Sequence, residues 1–184
     1  MKPFTTILLL ILLGVSVVGQ KRDDTDGVIL LGNNYSFSLK EPPGWVLNSE
    51  IGKSEGLQAV IYPAGSSWNN AVVVMYARVI YKDEQQPTIE KVISDDISEF
   101  MKLSKESTVT DAPAIETRDK RKGISKVFYD AANKNYESVT FIDGPKAVVI
   151  LALSSRDKKE YEKAQPAFKA LVSSYFFFAP LAAP

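Results

Sequence analysis

The sequence predicts an α+β domain in which a mostly antiparallel β-sheet is flanked by two long amphipathic helices. Three observations carry this. Short segments rich in β-branched and aromatic residues recur along the chain. Two longer stretches place apolar residues at helical spacing. The turns "DKRKG", "NKN" and "DGPK" are short and polar, which implies antiparallel neighbours.

The elements follow in order. "MKPFTTILLLILLGVSVVGQ" has a positive charge at Lys2, then an apolar run of 12 residues from Ile7 to Val18. As a helix that run spans about 18 Å, short of the roughly 30 Å of a bilayer core. Compact residues at Val17 to Gly19 suit cleavage, so residues 1–19 read as a signal peptide cut before Gln20. An uncleaved anchor is the rival, because the uncharged stretch runs from Pro3 to Gln20 and Lys21 and Arg22 follow it. Residues 20–34 read as a flexible lead-in, with a short strand at Val28 to Leu31 inside it.

Residues 35–178 read as the folded domain and 179–184 as a C-terminal tail. Tyr35, Phe37 and Leu39 alternate with serines as a strand. "PPGW" reads as a corner that turns Trp45 into the core, followed by a short strand to Leu47. Leu57 to Tyr62 and Ala71 to Ile80 are strands around the loop "PAGSSWNN". A helix runs from Thr88 to Ser104, with Thr88 as its N-cap and Ile89, Val92, Ile93, Ile97, Phe100 and Met101 on its apolar face. Strands follow at Ala114 to Arg118, Ile124 to Ala131 and Tyr136 to Ile142. Ala147 to Leu153 is apolar on both faces and reads as a central strand. The second helix runs from Asp157 to Tyr175, with Pro166 expected to kink it or delay its start.

Composition narrows the chemistry. The 184 residues include 22 basic and 22 acidic side chains, so the basic excess that marks nucleic-acid binding is missing. Loss of Lys2 with the leader leaves a net charge of −1. The sequence contains no Cys and no His. Disulfides, Ser-His-Asp and Cys-His hydrolysis and the usual zinc sites are therefore excluded. "DDTDG" at Asp23 to Gly27 offers oxygen ligands but lacks the remainder of a calcium-loop pattern. No Walker loop or dinucleotide fingerprint occurs. No metal or cofactor is expected.

The entry "YSFSLKEPPGW" and the closing "LSSRDKKEYEKAQPAFKALVSSYFF", with its mid-helix proline and aromatic tail, resemble PsbP-like domains, whose fold the Ran-binding Mog protein shares. The resemblance spans about Tyr35 to Phe178. It implies an α/β/α sandwich in an exported, bacterial-type member of unknown role. It brings no catalytic motif.

The expected function is that of an exported, non-enzymatic binding or accessory domain contacting a protein or cell-envelope component. After cleavage it has no stable membrane span. Candidate contact residues are Trp68, Asn69 and Asn70 in the polar loop, and Arg118, Lys120, Arg121 and Lys122 at a basic hairpin tip. The rival is a carbohydrate binder or an acid-residue hydrolase using Trp68 and surface carboxylates. Asp95, Asp96 and Glu99 cluster on the first helix, where paired carboxylates could act on glycosides. Asp95 and Glu99 lie one turn apart on a polar face, which favours solvation instead. Convergent carboxylates in a concave site around Trp68 would favour the rival.

Overall fold

The computed structural model describes residues 27–32, 35–82, 88–102 and 105–178. The leader, the calcium-like "DDTDG" except its last glycine, and the tail after Phe178 lie outside the described residues. No helix among the described residues is long and apolar enough to cross a membrane.

Among the described residues the chain forms ten strands, β1 (Val28–Gly32), β2 (Tyr35–Leu39), β3 (Trp45–Asn48), β4 (Ala59–Pro63), β5 (Val73–Tyr81), β6 (Thr108–Glu116), β7 (Lys122–Asp130), β8 (Asn135–Asp143), β9 (Ala147–Ser155) and β10 (Phe176–Phe178). Three helices accompany them among the described residues, α1 (Ser49–Ser54), α2 (Ile89–Met101) and α3 (Lys158–Ser174). The strands form two sheets rather than one. Seven pair antiparallel in the order β3-β4-β5-β9-β8-β7-β6, and β1-β2-β10 form a second, three-stranded sheet. The second sheet exists because β10 pairs with β2, placing Phe177 opposite Phe37. Three consecutive phenylalanines carry no alternation, so the sequence reads as an apolar end there.

The large sheet is covered on both faces. On one side Val149, Leu151 and Leu153 of β9 join Phe168, Leu171 and Val172 of α3 and Phe37 of β2 in one apolar cluster. On the other, Val148, Ile150 and Ala152 join Ile89, Val92 and Ile93 of α2. β9 lies between β5 and β8 and is buried on both faces, as its continuous apolar run requires.

The long helices begin where their caps dictate. Thr88 Oγ1 accepts from Lys91 N at 3.2 Å, and Asp157 Oδ1 accepts from Glu160 N at 3.0 Å. α3 runs through Pro166 without a delayed start. α1 is a third, six-residue helix, too short for helical periodicity to show, and Asn48 caps it by accepting from Ile51 N at 2.9 Å.

At "PPGW", Trp45 N donates to Pro42 O at 3.0 Å and Gly44 sits at φ +80°. This is a turn with Pro43 and Gly44 in its central positions, where a positive φ favours glycine. Trp45 is half-buried rather than fully enclosed. It packs at the rim of the α3-side core and lines a cavity of about 230 Å3 with Pro63, Val73 and Ala164.

β6 starts six residues earlier than its sequence signal. Its register with β7 shifts between Ala112 and Ile115, around Pro113. The shift is a β-bulge on an edge strand, the setting in which a sheet tolerates proline.

Candidate functional sites

The basic hairpin tip is a clasp. Between β6 and β7, Thr117 N donates to Arg121 O and Lys120 N to Thr117 O, both at 3.0 Å, with Lys120 at φ +67°. This geometry turns two of the four cations toward β10. The Arg118 guanidinium lies 4.8 Å from the Phe176 ring centroid and donates to Ser38 Oγ at 3.1 Å. The Arg121 guanidinium lies 5.4 Å from the Phe177 ring and donates to Asp119 at 2.8 Å and to Asp143 O at 2.8 Å. Asp119 also accepts from Phe177 N at 3.2 Å, and Arg118 N donates to Tyr175 O at 3.1 Å. The remaining cations are exposed, and Lys120 pairs with Glu116 at 2.9 Å.

Burial alone would raise the Asp119 carboxyl. The Thr117 hydroxyl, Arg121 and the Phe177 N–H outweigh it and hold it below the ordinary value of 3.8. A lowered folded value means that this carboxylate stabilises the fold above pH 3.8 and loses that contribution as pH falls through the folded value. Asp119→Asn is therefore expected to loosen β10. Amide exchange at Phe177 should accelerate at neutral pH, and an unchanged rate would show that the clasp does not hold the strand.

The loop with Trp68, Asn69 and Asn70 is a compact turn. Ala71 N donates to Ser67 O at 2.9 Å, and the Ser67 hydroxyl bonds the Asn70 side chain. Trp68 is half-buried, and the two asparagines are exposed. Trp68 lines neither the cavity at Trp45 nor the two larger concavities described next.

The larger of these is an apolar groove of about 460 Å3 between the bulge of β6 and α3. Ala112, Pro113, Ala114 and Ile115 form one wall; Gln165, Pro166, Phe168 and Lys169 form the other. Ser125 and Ser138 lie at its floor. Their hydroxyls are satisfied, Ser125 with Thr140 at 2.9 Å and Ser138 with Tyr161 at 2.7 Å. The space arises because β7 and β8 present small residues here where β9 presents leucines. Concave, mainly apolar space with a few fixed polar groups is the usual form of a binding site.

On the opposite face, a cleft of about 330 Å3 opens at the carboxyl end of α2. Asp96, Glu99 and Phe100 of α2 meet Tyr76 and Arg78 of β5, Phe128 of β7 and Glu137 of β8. Asp96 is thus not simply on a solvated helix face: it is half-buried and paired with Arg78. Asp95 and Glu99 are exposed and bond Lys91 and Lys102. Glu137 Oε1 accepts from Asn135 Nδ2 at 2.8 Å and from Ser154 Oγ at 2.9 Å.

Burial pushes the Glu137 carboxyl above its ordinary 4.5. The Ser154 and Asn135 hydrogen bonds and Arg78 oppose this, while Asp96 adds to it. A raised folded value means that Glu137 favours the fold most below pH 4.5, and this advantage is lost as pH rises through the folded value. Glu137→Gln should therefore melt at a higher temperature than the wild type at pH 7, with the difference shrinking toward pH 4. A lower melting temperature at pH 7 would contradict this.

Sequence reasoning missed Tyr76, Arg78 and Glu137 and the groove residues. One signal was present. Glu137 shares a strand face with Val139 and Phe141, and Arg78 shares one with Tyr76 and Ile80, so each is a charge on an otherwise apolar stripe.

No family model and no curated protein matches the chain. Among solved structures it is similar to cyanobacterial PsbP (CyanoP) from Synechocystis sp. PCC 6803, with a TM-score of 0.49 and 13% identity over 79% of this chain and 87% of that one. It is similar to LpqN, involved in cell envelope biogenesis of Mycobacterium tuberculosis, with a TM-score of 0.48 and 13% identity over 79% and 86% of the two chains. A protein from Bacteroides thetaiotaomicron VPI-5482 gives a TM-score of 0.43 and 8% identity over 78% and 46%. No activity, ligand or partner comes to this chain with these likenesses.

Proposed function

We propose that this chain is an exported, non-enzymatic binding domain. It holds an apolar part of a protein or cell-envelope component in the groove between β6 and α3. The observation that carries this reading is the groove itself, apolar-walled and roomy, opening beside the bulged edge strand. Pro113 and the bulge interrupt the outer edge of β6, so strand addition along its whole length is disfavoured. Recognition then falls to the space beneath the bulge. The loop at Trp68, Asn69 and Asn70 and the exposed Lys120 and Lys122 supply additional contact surface.

A photo-crosslinking residue at Ala114, an exposed groove position, tests this in the envelope fraction of the protein's own cells. A discrete adduct is expected from position 114 and none from the exposed Lys53 on α1. Ala114→Asp should reduce capture at least tenfold while changing stability by less than about 0.5 kcal/mol. Undiminished capture by Ala114→Asp would move the site elsewhere.

A further inference from the structure

The cleft at the carboxyl end of α2 has a chemistry of its own. Its charges do not balance. Arg78 is engaged by Asp96, and Glu99 by Lys102. Glu137 forms no ion pair among the described residues. Asn135 and Ser154 donate to its Oε1 and so fix the carboxyl in place. The surrounding wall is aromatic: Phe100 and Phe128 pack edge to face at 5.0 Å between centroids, and Tyr76 completes it. The carboxyl end of α2, capped by Lys102, brings the negative end of the helix dipole to the same place.

A desolvated carboxylate with no ion pair of its own, with aromatic rings beside it and a helix carboxyl end nearby, selects for positive charge. The cavity of about 330 Å3 is far larger than a bare metal ion needs. The described residues contain no group of three or more acidic side chains able to hold a metal. We propose that this cleft binds a small organic cation, a protonated amine whose ammonium group pairs with Glu137 and whose carbon skeleton lies against Phe100 and Phe128. The site is on the opposite face of the sheet from the β6–α3 groove, so the two readings stand or fall separately.

The test is titration of the intact protein at neutral pH with n-butylammonium, followed by amide chemical shifts. n-Butanol serves as the neutral isostere, and sodium and calcium chloride as inorganic controls. Saturable shifts at Asn135, Glu137 and Ser154 are expected with the ammonium compound, at least tenfold weaker with butanol, and absent with either salt. Glu137→Gln should weaken ammonium binding at least tenfold, with its melting curve confirming that it is folded. Phe100→Leu, which keeps the apolar volume but removes the ring, should weaken it severalfold. Equal binding of butanol and butylammonium, unaltered binding by a folded Glu137→Gln, or no saturable shift would each overturn the proposal.

Discussion

Phe37→Ala is expected to lower the unfolding free energy by about 3–5 kcal/mol. Phe37 is fully enclosed at the centre of β2. Its ring meets Tyr175 at 5.3 Å and Tyr35 at 5.9 Å, and its backbone lies between Leu30 of β1 and Phe177 of β10 in register. It is the central inward-facing residue of the three-stranded sheet, buried in the same core as Leu30, Tyr35 and Leu39. Truncation leaves a cavity that rigid strand neighbours cannot close, so the loss should lie near the top of the range. Denaturant unfolding should show a lower midpoint with an unchanged slope. A loss below about 1 kcal/mol would mean that the small sheet is not integral to the core.

Phe141→Ala should cost a similar amount, about 3–5 kcal/mol, from the opposite face. Phe141 is fully buried in β8, in register with Ile124 of β7 and Ile150 of β9, and belongs to the cluster that receives α2. The two variants should differ in what loosens first. Phe141→Ala should speed amide exchange in α2 while β10 stays protected, and Phe37→Ala should do the reverse. The same pattern in both variants would show that the two faces of the sheet do not unfold as separate units.

Much of this layering is legible in the sequence. Both long helices follow from their periodicity, the Thr88 cap from its residue type and the doubly buried β9 from its continuous apolar run, because each writes a local pattern. The exceptions have physical reasons. In "TVTDAPAIE", Asp111 and Pro113 break the alternation, and only the bulge reconciles them with a nine-residue strand. β10 has no alternation at all, and its pairing with β2 is set by residues distant in the chain. The hairpin cations read as a free basic tip because nothing local shows Phe176 and Phe177 beneath them. The groove was unreadable for a different reason: it is a lack of bulk where β6, β7 and α3 meet. Glu137 and Arg78 were within reach, since a charge on an apolar strand face asks for a partner.

The pairing of β10 with β2 also orders events in time. Ser36 Oγ donates to Phe178 O across 142 positions of sequence, so the second strand of the fold cannot complete its sheet until the last has been synthesised. Closing so long a loop is entropically costly, and it leaves Phe37 and Leu39 without their final cover until then. Topologies dominated by such distant contacts fold slowly. A nascent chain of this protein therefore stays short of its native sheet until β10 has emerged. Until then it remains open to whatever machinery handles unfolded chains.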